Sequence, residues 1–148
     1  MSARYRFVLP ALAVFLLAAL MPACSKQPAY APPPYAGSDA AVDMAHLEDG
    51  KPLFFTHYHG GKKISFFLVR TGDSVNAYLD ACNACYPYKR GYRFENGMMV
   101  CMHCGEKYRL DQLSVGTGNC YPIRIPGRVL EGKYLIALRT IEKNAGRF

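Results

Sequence analysis

Four of the six cysteines in this chain stand in two pairs, Cys82/Cys85 and Cys101/Cys104, within the stretch DACNACYPYKRGYRFENGMMVCMHCGEKY. A Cys-x-x-Cys turn can aim two sulfurs at one point. Two such turns, spaced C-x2-C-x15-C-x2-C, make a four-thiolate site. Zinc takes four thiolates at about 2.3 Å, and a [2Fe–2S] cluster takes two on each iron. Gly105 follows the second pair, where a knuckle-like turn needs freedom and where freed backbone N–H groups can bond sulfur. The competing chemistries are a redox-active disulfide and a structural staple. A Cys-x-x-Cys disulfide is a strained small ring. A thioredoxin-like site needs its motif at a helix start within a βαβ pattern, and neither pair has that context. With Cys24 set aside, Cys82, Cys85, Cys101, Cys104 and Cys120 remain, and five thiols cannot all pair within one chain. The spacing therefore favours a metal centre, with [2Fe–2S], zinc and mononuclear iron all open.

Other candidate groups carry weaker signals. His103 lies inside the second pair, and its ring is expected to point outward from a short knuckle. His57 and His59 share a face if FFTHYH is a strand; a second iron or copper site there competes with plain surface histidines. Met98, Met99 and Met102 beside thiols raise Cu(I), against the commoner use of methionine as core filler. Lys89, Arg90 and Arg93 lie between the pairs and could offset thiolate charge. No Ser/His/Asp arrangement and no phosphate-cradling glycine loop stands out.

The elements that must position the thiols read mostly as strands. PLFFTHYH and KISFFLVR are rich in aromatic and branched residues and are separated by Gly60-Gly61. SVNAYLDAC alternates toward Cys82. GYRFENGMMVCM carries Asn96-Gly97, a strong hairpin signal. This hairpin brings GYRF back beside MMVC, so the loops holding the two pairs can lie at one end of a sheet. RVLEGKYLIALRT repeats the pattern around Glu131-Gly132, LDQLSVGTGNCYPIRIPG reads as loop, and DAAVDMAHL offers a short helix. The expected class is mainly β: a small antiparallel β domain with a metal site on two Cys-x-x-Cys loops.

Ahead of it, Arg4 and Arg6 precede the apolar run FVLPALAVFLLAALMPA, an export signal over residues 1–23. Pro10 interrupts the run, which is short for a membrane span. Leu20-Met21-Pro22-Ala23-Cys24 resembles a lipoprotein box, with Cys24 as the lipidated residue. Residues 24–42 then read as a lipid-anchored, Pro-rich linker, and residues 43–148 as the folded domain. The protein is thus expected to be exported, in the periplasm or cell envelope, and held to a membrane by lipid. Its net charge of +7 comes without an arginine-rich arm, and export argues further against nucleic acid.

The motifs together resemble the FtrD-like family of membrane iron–sulfur proteins linked to bacterial ferrous iron transport. The matching residues are Asp80-Ala81-Cys82 through Cys85, Gly91-Tyr92, Cys101 through Gly105 with Tyr108, and Gly118-Asn119-Cys120-Tyr121-Pro122. The upstream strands and the final NAGRF also match. Asn119 replaces a usual second glycine; Asn tolerates positive φ. The resemblance brings Cys120 into the vicinity of the site as a further candidate ligand beside Cys82, Cys85, Cys101 and Cys104. A more distant resemblance is to Rieske domains, with cysteines at Cys85 and Cys104 in place of histidines. It implies a Rieske-like scaffold with all-sulfur ligation and a potential near the plant-type value of about −400 mV. The resemblance implies an electron carrier or iron-handling protein, rather than an enzyme. Its implied partners are a membrane iron permease or an associated redox protein. A structural zinc module and a thiol–disulfide redox protein are the alternatives.

Overall fold

The computed structural model describes residues 27–148; the apolar leader and Cys24 lie outside the described residues. The strands are β1 (Tyr35–Ala36), β2 (Asp39–Asp43), β3 (Pro52–His59), β4 (Lys62–Thr71), β5 (Ser74–Cys82), β6 (Tyr92–Glu95), β7 (Met98–Cys101), β8 (Lys107–Arg109), β9 (Pro122–Ile125), β10 (Arg128–Leu130) and β11 (Lys133–Ala137). A short helix, α1 (Leu138–Glu142), follows β11. The strands form three antiparallel sheets, ordered β1-β2-β11-β10, β3-β4-β5-β9 and β6-β7-β8. Among the described residues, no helix is long and apolar enough to cross a membrane.

β4 explains how so small a chain holds together. Ile64 through Val69 are all buried, apolar but for Ser65, which bonds to Thr56 at 3.0 Å; burial of successive residues marks a strand covered on both faces. Alternation along the strand divides it between two cores. Ile64, Phe66 and Leu68 join Phe55, Leu79, Ile136 and Ile141 on one face. Phe67 and Val69 join Tyr78, Tyr92, Met99 and Tyr108 on the other. The second core carries the cysteines: Cys82 and Cys101 are buried members, with Cys85 and Cys120 packed against it.

The expected hairpins form. At the β6–β7 turn Asn96 and Gly97 have φ of 51° and 76°, and at the β10–β11 turn Glu131 and Gly132 have 49° and 74°. Two positive values in succession are what a tight two-residue hairpin of native twist requires.

The leading segment departs from the expected free linker. Residues 27–42 are laid against the domain. Tyr30 donates its N–H to Thr56 Oγ1 at 2.8 Å, Thr56 donates back to the Ala31 carbonyl at 3.1 Å, and the Tyr30 ring stacks on Phe54 at 4.7 Å. β2 pairs with β11 from Asp39↔Ala137 to Asp43↔Lys133, with Ala40, Ala41 and Val42 buried. The packed unit thus begins before residue 43. DAAVD is strand, because β11 supplies a ladder partner; only Met44–His46 form a 3-10 turn, capped by the Asp43 carboxylate. PIRI, expected as loop, is β9 for the same reason: it pairs with β5.

Candidate metal centre

Three loops bring five cysteines together at one end of the second core. Cys82 closes β5, and Cys85 lies just before the 3-10 turn Tyr86–Tyr88. Cys101 closes β7, and Cys104 precedes β8. Cys120 ends a tight turn in which Thr117 and Cys120 exchange backbone hydrogen bonds at 3.0 Å. The Sγ atoms of Cys82, Cys85, Cys101 and Cys120 all lie within 4.8 Å of one another. Cys120 Sγ is 3.2 Å from Cys82 Sγ and 3.1 Å from Cys104 Sγ. Cys104, read from spacing as one of four ligands, flanks the quartet on its exposed side. Cys120, brought in by resemblance alone, stands inside it.

Ordinary backbone pairing holds the loops in place. Cys82 is opposite Pro122, and Asn83 donates to the Tyr121 carbonyl at 2.9 Å; these tie the first loop to the third. Tyr92 is opposite Cys101, and Met102 donates to the Gly91 carbonyl at 2.9 Å. The first loop is coupled to the second by Asp80. Its carboxylate is fully buried and accepts the Tyr92 N–H at 2.6 Å and the Gln27 side-chain amide at 2.6 Å. The motif residue Asp80 is therefore a brace: it joins the strand carrying Cys82 to the strand opposite Cys101. Burial raises its pKa to about 6, against the lowering effect of those donors.

Gly91 is needed for this brace. It has φ +66°, and a Cβ there would sit 2.7 Å from both Asp80 Oδ1 and Gln27 Nε2. Gly91→Ala is expected to cost about 2 kcal/mol, read as a lower urea midpoint with an unchanged slope.

The turns also aim N–H groups at sulfur. Cys82 Sγ faces the N–H groups of Ala84 and Cys85, Cys101 Sγ those of His103 and Cys104, and Cys104 Sγ that of Glu106. Burial opposes ionisation at all five thiols. At Cys82 the Cys120 thiol and the two N–H groups outweigh it, and the thiol falls to about 7. Cys104 is also lowered, against burial, chiefly by Cys120. Cys85 is pushed up to about 12 by burial and then by charge on Cys101 and Cys82. Cys101 and Cys120 are raised as well, burial again leading. Cys82 and Cys104 are thus favoured as thiolates, while burial, with the neighbouring sulfurs behind it, opposes ionisation of the other three. A cation among them would remove that conflict.

The Tyr92 hydroxyl supplies a separate test of fit. It is buried with no hydrogen-bond partner among the described residues, and the Cys82 sulfur is the first group acting on it after burial itself. A buried orphan donor is costly; beside anionic sulfur it has a use. Below it, Tyr108 donates to the Cys120 carbonyl at 2.7 Å. Thiolates, directed N–H groups and this hydroxyl together fit a metal or iron–sulfur centre.

Around the cleft over Cys82, Cys85 and Cys101 stand Lys89, Arg90, His103 and Arg147. Arg93 turns to Glu95 at 2.7 Å. The His103 ring is outside the sulfur cluster, stacked on Tyr88 at 3.5 Å. Met99 is fully buried in the core. Asn119 is not among the positive-φ residues; in that turn Gly116 and Gly118 are. The departure from glycine therefore falls where none is required.

His57 and His59 meet Glu142, which the sequence reading had not linked to them. His57 Nε2 and His59 Nδ1 each lie 3.2 Å from Glu142 Oε1.

A family model described as "Membrane iron-sulfur containing protein FtrD-like" matches residues 47–148. No curated protein matches the chain.

Proposed function

The chain belongs to the FtrD-like family of membrane iron–sulfur containing proteins, and on that premise we propose that its clustered cysteines hold an iron–sulfur centre, with [2Fe–2S] favoured. The observation that carries the proposal is the convergence of five thiols from three separate loops, four of them within 4.8 Å of one another. Cys82, Cys85 and Cys101 are common to the set read from spacing and the set read from proximity. Cys104 and Cys120, 3.1 Å apart, compete for the fourth place.

When bound, such a centre supplies one-electron transfer. The chain's own residues set its surroundings. The N–H groups of the two turns and the Tyr92 hydroxyl offset negative charge on sulfur. Lys89, Arg90 and Arg147 line the cleft with positive charge and suit an acidic docking partner. On this reading the protein is an electron carrier or iron-handling protein rather than an enzyme. It serves a membrane iron permease or an associated redox protein. Export and lipidation at Cys24 would place it at that membrane; the basic, apolar leader supports this part of the proposal.

A second reading has its own observation. Four thiolates about 2.3 Å from one ion stand roughly 3.8 Å apart, a value that lies between the 3.2 Å of Cys82–Cys120 and the 4.8 Å that bounds the quartet. One zinc or one iron therefore also suits it, zinc making a structural module without redox work.

Metal and acid-labile sulfide analysis of the full chain, purified without oxygen, tests both. About two iron and two sulfide per chain are expected for the cluster. One ion without sulfide selects the second reading. Metal-free protein whose thiols cycle through disulfides overturns both.

A further inference from the structure

The geometry points to a second metal-ion site of different chemistry: His57, His59 and Glu142 form a two-imidazole, one-carboxylate site for a first-row divalent transition ion. The three donor atoms lie within 4.8 Å of one another. Both imidazole nitrogens are 3.2 Å from the same carboxylate oxygen. Nitrogen and oxygen ligands about 2.1 Å from one ion stand roughly 3.0–3.4 Å apart, between octahedral and tetrahedral geometry. Both nitrogen–oxygen spacings, at 3.2 Å, fall inside that interval.

The placement is built from rigid elements. His57 and His59 alternate onto one face of β3, the face that carries Phe55 into the first core. Glu142 ends α1, directly after the buried Ile141. His57 is itself buried, and its other ring nitrogen, Nδ1, is 3.0 Å from the Tyr35 hydroxyl. An ion on Nε2 leaves the proton on Nδ1, which then donates to the Tyr35 oxygen. That is the arrangement by which an outer hydrogen bond fixes a ligating imidazole. His59 is half exposed, so the site opens to solvent on one side. Three protein ligands leave coordination positions free for water or a small anion.

A plain ion pair explains these contacts less well. The chain has 18 Lys and Arg against 11 Asp and Glu, so cations are plentiful. Arg139 and Lys143 stand near Glu142 in sequence, yet its ion-pair partners among the described residues are the two imidazoles. The site is also separate from the cysteines. Cys82 faces the second core, on the opposite side of the β3-β4-β5-β9 sheet from Phe55 and the two histidines.

The probe is Co2+, titrated calorimetrically into the full chain with its cysteine centre filled, with cobalt X-ray absorption on the product. One Co2+ per chain with nitrogen and oxygen neighbours and no sulfur is expected. His59→Ala and Glu142→Gln should each weaken binding by at least about tenfold, while His46→Ala, at an exposed position, leaves it unchanged. Both test variants replace partly exposed side chains, and thermal melting verifies that each is folded. Sulfur neighbours around cobalt, no uptake beyond the cysteine centre, or unchanged affinity in both folded variants would overturn the site. The two variants leave all five cysteines untouched, so a loss of binding confined to them is distinguishable from failure of the cysteine centre.

Discussion

Cys101→Ser protein is expected to retain at most roughly a tenth of the wild-type metal. Cys101 belongs to both candidate quartets, lies 1% exposed at the end of β7, and faces two directed N–H groups. Serine leaves those donors aimed at an alcohol that does not ionise near neutral pH and that suits soft metals poorly. Cys82→Ser should behave in the same way. Cys104→Ser and Cys120→Ser should each lose less, because the two sulfurs are neighbours and either can stand in for the other. The larger of their two losses identifies the resident fourth ligand. His57→Ala, on the other face of the sheet, should leave the cysteine-bound metal in place. Metal analysis of the purified variants reads all five results, and wild-type content in Cys101→Ser would dismiss the cysteine centre.

Asp80→Ala should destabilise the fold by roughly 3 kcal/mol at pH 5, since it strands the buried Tyr92 N–H and the Gln27 amide at about 1–3 kcal/mol each. The cost should shrink as pH rises. Burial lifts the Asp80 carboxyl from its ordinary 3.8 to about 6 in the folded chain. A raised folded pKa means that the folded state holds the proton more tightly than the unfolded state. Its contribution is therefore full below the unfolded value and is lost as pH climbs through about 6. Between pH 5 and pH 8 the gap between wild type and Asp80→Ala should close by about 1–2 kcal/mol. Urea unfolding at several pH values reads this directly, and a gap that widens with pH would show that the carboxylate is better stabilised when charged.

How much of this was legible in the sequence depends on the range of the interactions involved. Turn chemistry is local, so Asn96-Gly97 announced its hairpin, and with it the meeting of the loops around Cys85 and Cys101. Alternation in FFTHYH is local too, and it placed His57 and His59 on one face. Glu142 lies 85 residues from His57, and no periodicity connects them. The same holds for β2. DAAVD has no strong strand propensity and becomes a strand because β11 arrives beside it. Asp80 could be recognised within a motif, but its role depends on Gln27, 53 positions earlier, in a stretch whose prolines suggested an independent linker. Cys120 was visible only through resemblance, since its turn must fold back from outside the paired spacing.

The path of residues 27–36 has a mechanical consequence. Gln27 is fastened to Asp80 and borders the cysteine cleft. Tyr30 is pinned to β3, and Tyr35 reaches His57. The segment passes from β5 around the free edge of β3, from the face of the sheet that carries the cysteines to the face that carries His57. A pull applied at Gln27 passes directly to the Asp80 brace beside Cys82. Peeling residues 27–36 away from β3 would therefore strip Asp80 of its Gln27 donor and loosen the loop that carries Cys82.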